Sequence, residues 1–215
     1  MNVDHSNVEC TVADYYAGDF IDKLDELKTN IDERAVISNA GAWALGRKTD
    51  ELIITQLDAL GAGQNVTGAG DLADTAGFTK AKVFMALEML NNADVPDDGQ
   101  RFAAVSPGAW TDLMLIDEFV RSDYVGQDLP YRQAMGGARD WLGVKWIRHS
   151  GLSLVAGDRQ NYLYHKTALG HAIGADVTAD ITWEGTRAAH WVNHMMSQGA
   201  CRIDDTGVVR VIISE

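Results

Sequence analysis

Phe102-Ala103-Ala104-Val105-Ser106-Pro107-Gly108-Ala109-Trp110-Thr111-Asp112-Leu113-Met114-Leu115 joins an apolar run to a helix-patterned one across a Ser-Pro step. Ser106 is placed to accept a hydrogen bond from a free amide of the first helical turn. Pro107 suits the first helical position, where its missing amide hydrogen costs nothing. The pattern predicts a strand over Phe102–Val105 and a helix over Pro107–Val120. A hydrolase nucleophile also sits at a strand-to-helix turn, but Val105 and Pro107 flank Ser106 where a Gly-x-Ser-x-Gly elbow would need glycines. A helix cap is the better account. No metal ligand or phosphate loop stands at the junction, so the stretch reads as scaffold for a surface.

Working outward, Asn7–Ala13 is short and β-prone, and Tyr15–Lys28 reads as helix or loop, with Phe20, Leu24 and Leu27 at helical spacing. A long helix starts at Asn30 or Asp32 and runs to about Leu60, where Gly61 ends it. At about 1.5 Å per residue it spans on the order of 40 Å. Ala42, Leu45, Leu52, Ile53, Leu57 and Leu60 lie on one side, while Val36, Ala40 and Trp43 turn towards the opposite, charged side. Apolar groups on two sides call for partners on both. Gly61–Gly77 is a glycine-rich loop, Thr79–Asn92 a helix burying Val83, Phe84, Leu87 and Leu90, and Asp94–Gly99 a turn. Further on, Arg121–Asp140 reads as a long loop, and Leu142–Ile147 and Asn161–His165 as strands. Thr178–Met195 reads as one long or bent strand, and Val208–Ile213 closes the chain as another. Trp110, Trp141 and Trp146 are expected in the core, Trp183 and Trp191 at a subunit contact. Helices gather early and strands late, which gives an α+β fold.

The net charge of −13, with eighteen scattered Lys and Arg residues, disfavours direct gripping of nucleic acid, which needs a basic patch to release counterions. An acidic wall that encloses DNA without adhering to it remains compatible. No run nears the roughly 18 apolar residues of a membrane helix, and the first residues carry no basic leader or apolar core of a secretory signal. Two cysteines, Cys10 and Cys201, are too few for a disulfide framework. They read as small apolar fillers in a reducing compartment, with a single Cys10–Cys201 bridge left open.

Few residues point to catalysis. His190 and His194 would share a face on a helix, as zinc enzymes require, but no Glu follows either. On a strand they would stand about 13 Å apart, too far for one metal. Gly68-Ala69-Gly70-Asp71-Leu72-Ala73 is only faintly similar to a dinucleotide loop: it follows a helix, and Ala73 replaces the third glycine. No catalytic, cofactor-binding or metal residue is assigned.

The order of elements resembles the major capsid protein of a tailed bacteriophage with the Hong Kong 97-type fold. Ala44-Leu45-Gly46-Arg47-Lys48-Thr49-Asp50-Glu51-Leu52-Ile53-Ile54 resembles part of that family's long spine helix. Ala103–Trp110 with Asp123-Tyr124-Val125-Gly126 resembles the strand, helix and loop of its axial domain. Gly136–Val144, His165–Gly170 and Met196–Ala200 are similar to later segments. The resemblance implies a remnant of an extended loop over 1–14, a peripheral domain with the spine helix over 15–76 and an axial domain over 77–165. Peripheral return strands over 166–205 and a closing strand over 206–215 complete it. It implies a non-enzymatic virion subunit, assembled in the host cytoplasm into hexamers and pentamers that tile an icosahedral shell around double-stranded DNA. Portal, scaffolding and decoration proteins are the implied partners, and no membrane is. Members carry an N-terminal arm and the outgoing half of the extended loop ahead of the segment that Val8–Ala13 resembles. Only a handful of residues precede it here, so those pieces are expected to be lost, cleaved or omitted, or their contacts to be made another way. Two alternatives stand beside this reading. One is an encapsulin-like compartment of the same fold, and the other a metal-dependent enzyme using His190, His194 and Asp180 or Glu184.

Overall fold

The computed structural model describes residues 7–28, 32–61, 65–66, 77–120 and 139–214. In chain order these residues form β1 (Ala13–Asp22), α1 (Lys23–Lys28), α2 (Glu33–Asp58), β2 (Asn65–Val66) and α3 (Lys80–Asn92). Next come β3 (Arg101–Val105), α4 (Pro107–Met114), α5 (Asp117–Val120), β4 (Arg139–Trp141) and β5 (Val144–Arg148). β6 (Leu154–Val155), β7 (Asp158–His165), β8 (Leu169–Glu184), β9 (Ala189–Arg202) and β10 (Val208–Ser214) complete the order. The chain divides into two compact units, one of residues 1–53 and 170–201, the other of residues 54–169 and 202–215.

The first unit holds a sheet in the order β1-β9-β8. β1 runs antiparallel to β9 from Ala13↔Gln198 to Asp22↔Ala189. Tyr15–Lys28, expected as helix or loop, is thus strand up to Asp22 and helix only beyond it. Phe20 and Ile21 are adjacent and therefore face opposite ways, Ile21 buried and Phe20 packed at a tilt against Trp191 with ring centroids 4.4 Å apart. Thr178–Met195 is likewise not one strand but two, reversed at Gly185–Ala188, where Ala188 takes a positive φ. Gly185 and Arg187 interrupt the β-branched run, and the turn closes with Arg187 donating to the Glu184 carbonyl.

The second unit carries a mixed sheet in the order β2-β10-β7-β3-β5-β4, with β6 paired to β7. Helices α3 and α4 cover it. Val83, Ala86 and Leu90 of α3, with Ala109 and Leu113 of α4, join Val105, Leu163, Val209 and Val211 of the strands in one core. The opening stretch behaves as its chemistry requires. Ser106 Oγ accepts from the Ala109 amide at 3.1 Å, and Pro107 occupies the first turn. Buried Asn161 Oδ1 accepts the Ser106 amide at 2.7 Å, tying the junction to β7. The expected helix Pro107–Val120 is broken at Leu115, whose amide bonds to the Asp112 carbonyl as the turn tightens. The break lets Phe119 reach the core, edge-on to Trp110, Trp141 and Trp146. Trp146 is fully buried and the other two tryptophans half-buried. Phe84, expected inside, is exposed, its ring lying under the Lys80 ammonium at 5.6 Å. Within the Gly61–Gly77 loop, Asn65 and Val66 pair in parallel with β10, and most of the remainder lies outside the described residues. So does 121–138 of the Arg121–Asp140 loop, with the Asp123–Gly126 segment and Gly136–Ala138 in it, whereas Arg139 and Asp140 are strand.

Candidate assembly surface

In the first unit, α2 lies across β1 and β9 through its small residues. Gly41 meets the buried His194 ring so closely that an added Cβ would stand 2.3 Å from Nδ1. Ser38 Oγ lies 3.4 Å from His194 Nε2, Thr49 donates to Gln198 Oε1 at 2.8 Å, and the Lys48 ammonium sits 5.3 Å from the Tyr15 ring centroid. Thr49 Oγ1 also donates to the Leu45 carbonyl at 3.2 Å, so its hydroxyl is shared between helix and sheet. A pocket of about 210 Å³ remains under the helix, lined by Ala17, Asp19, Ile37, Gly41, Val192 and His194 among others.

Strands alternate their faces, and β8 exploits this fully. Ile173, Ala175, Val177, Ala179, Ile181 and Trp183 share one face, while Gly174, Asp176, Thr178, Asp180, Thr182 and Glu184 share the other. Such alternation ordinarily buries the apolar face. Here Ile173, Ile181 and Trp183 are about half exposed and Val177 is also open, although each is a large apolar group. β8 is also an edge strand, as β1 is on the other side of the sheet, so one side of its backbone has no ladder partner among the described residues. On α2, Val36 and Trp43 are exposed at 56% and 68%, so these two groups of the second apolar side read from the sequence stay open among the described residues. Ala42, expected on the packed side with Leu45, is exposed as well, and Gly41 and Ala44 take that place.

The histidines are drawn into packing. His190 and His194 share a face of β9, where His190 Nε2 accepts from Arg34 at 2.9 Å and its ring meets Trp183 edge-on. His194 is buried under Gly41. Glu184 accepts from Thr186 at 3.0 Å. Among the described residues no group of three or more His, Cys, Asp and Glu side chains is placed to hold a metal ion. Gly68–Ala73 lies outside the described residues. Trp183 is exposed, as a subunit contact requires, whereas Trp191 is occupied within the unit by Phe20 and by the close approach of Gly18. The alternation over Ile173–Glu184 is legible in the sequence, but it does not tell that the apolar face stays open, since that depends on what packs against it.

Comparison with known proteins agrees with this picture of a chain made for surfaces. The structure is similar to that of Mycobacterium phage Che8, with a TM-score of 0.73 at 20% identity over 93% of this chain and 70% of that one. It is similar to the capsid of cyanophage P-SCSP1u, at 0.69 and 16% over 96% and 74%. The holo-SrpI encapsulin complex of Synechococcus elongatus PCC 7942 is more distant, at 0.57 and 12% over 95% and 74%. No curated protein sequence matches. These likenesses give the Hong Kong 97-type fold. A family profile described as phage capsid protein matches residues 1–215, the whole chain. With a bare sheet edge, a bare helix side and a fold shared with capsids, this chain belongs to the phage capsid protein family, a structural shell subunit and not an enzyme.

Proposed function

We propose that the chain assembles with copies of itself into hexamers and pentamers that close an icosahedral phage head around double-stranded DNA, in the host cytoplasm. The observation that carries this is the β8 column, large apolar groups left open along an unpaired strand edge. A second copy covering that column would remove apolar area from water at each contact. Many such modest contacts in a closed shell make a stable whole. In this reading 15–76 and 166–205 form the peripheral domain, 77–165 the axial domain, 206–215 the closing strand, and 1–14 a remnant of the extended loop. The acidic balance of −13 keeps packaged DNA from adhering to the wall, with cations between them. Portal, scaffolding and decoration proteins complete the head.

Negative-stain microscopy of the full-length protein, with scaffolding protein if required, is expected to show capsomers or closed shells. A strictly monomeric species under every condition would sink the proposal. A shell that loads a cargo enzyme is the second reading, favoured by the likeness to an encapsulin. Purified particles separate the two, since nuclease-protected double-stranded DNA marks a head and protein cargo marks a compartment.

A further inference from the structure

Just ahead of β1, the chain lies hard against β9 at Gly199. A Cβ added to Gly199 would stand 2.1 Å from the Thr11 carbonyl oxygen and 3.2 Å from Val12 Cα, so glycine is what admits the segment there. Val12 also reaches Gly174 on β8, with its Cγ1 3.3 Å from where a Cβ would stand. Cys201 lies two residues beyond Gly199 on the same face of β9, and Cys10 two residues before Val12. Carrying the β1–β9 register back three steps from the Ala13↔Gln198 pair sets Cys10 opposite Cys201. Residues opposed across antiparallel strands have Cα atoms about 4.5–5.5 Å apart, within the roughly 4.4–6.8 Å that a disulfide spans. Both thiols are free and half-buried. Burial, and then the Cys10 thiol beside it, raise the Cys201 pKa.

We propose that Cys10 and Cys201 form a redox-responsive pair that closes an intrachain disulfide in an oxidising medium and stays a dithiol in a reducing one. The first unit is built from two stretches of chain separated by residues 54–169 of the second unit, and the bridge joins these stretches covalently. The oxidant is a small-molecule disulfide such as oxidised glutathione. The Cys10 thiolate attacks one sulfur of that disulfide and expels one glutathione thiolate. Cys201 then attacks the Cys10 sulfur of the mixed disulfide and expels the second. The two thiol protons pass to the departing thiolates, so the protein loses two electrons and two protons and the oxidant becomes two thiols. Closure pins Val8–Val12 against β9 and restricts the unfolded chain through a loop of roughly 190 residues.

The test uses the wild-type full-length protein, so no variant has to fold. It is incubated with oxidised glutathione, alkylated in denaturant and mapped by mass spectrometry without reduction. The expected result is a linked pair of peptides bearing Cys10 and Cys201, with both thiols lost together and a single-chain band on a non-reducing gel. The bridge is also expected to raise the Tm by about 5–10 °C, reversibly with dithiothreitol. Stable glutathione adducts on both cysteines of one chain, disulfides only between chains, or two thiols still open to alkylation after prolonged oxidation would each overturn the proposal.

Discussion

Gly41 sits mid-helix, where glycine ordinarily costs about 0.5–1 kcal/mol relative to alanine. It persists because the His194 ring, itself 2% exposed, occupies the space a Cβ would need. Gly41→Ala is therefore expected to destabilise the protein by about 1–3 kcal/mol despite the better helix former. In a His194→Ala background the same change should become neutral or stabilising, and a double-mutant cycle by chemical denaturation measures the coupling. A second residue-scale effect concerns pH. His165 Nδ1 accepts the Thr167 amide at 3.3 Å, which leaves Nε2–H to donate to Asp98 at 3.0 Å. That hydrogen bond, with another from the Gln100 amide, lowers the Asp98 pKa below 3.8. A depressed folded-state pKa contributes stability that is present above the ordinary value and lost as the pH falls through the folded one. Asp98→Asn should thus lower the denaturant midpoint slightly near neutrality, and the difference should vanish well below pH 3.8, where the wild-type carboxyl is protonated.

At the scale of elements, ends decide more than middles. α4 begins at Ser106 because one hydroxyl satisfies a first-turn amide, and Ser106→Ala should cost about 1 kcal/mol in thermal unfolding. The last turn of α2 is held instead by distant residues. Arg202 donates to the Gln56 carbonyl at 2.8 Å, and Arg210 to the Asp58 and Leu60 carbonyls at 2.6 and 3.0 Å, cations at the negative end of the helix. The Asp58 carboxylate accepts from Ser153 and from Tyr162, whose phenol pKa is pushed up by burial and by that carboxylate. Tyr162→Phe removes one donor from the carboxylate and should lower stability by about 1–2 kcal/mol, read as a shift in the denaturant midpoint. The α4 start was legible in the sequence, since its cap is local. The clasp on α2 was not, since Asp58, Ser153, Tyr162 and Arg210 are far apart along the chain. The break at Leu115 is not legible there either. Helical periodicity continues through it, and only the pull of Phe119 towards Trp141 and Trp146 bends the chain there.

At the scale of the whole molecule, the proposed assembly rests on the β8 column, and changes there should separate folding from association. Val177→Asp and Ile181→Asp each place a charge on an open face, so circular dichroism and Tm should stay close to wild type while light scattering shows assembly lost. Wild-type levels of shell from both variants would move the contact elsewhere, for which Val36 and Trp43 on α2 are the next candidates. By itself the sequence determined the long helix, the Ser-Pro junction and the α+β class, because caps, periodicity and residue chemistry act over a few neighbouring positions. Tertiary structure alone decided that Tyr15–Asp22 is strand, that Thr178–Met195 folds back on itself, and that Cys10 faces Cys201. A strand is settled by the partner that completes its backbone hydrogen bonds, and that partner lies far away in the chain.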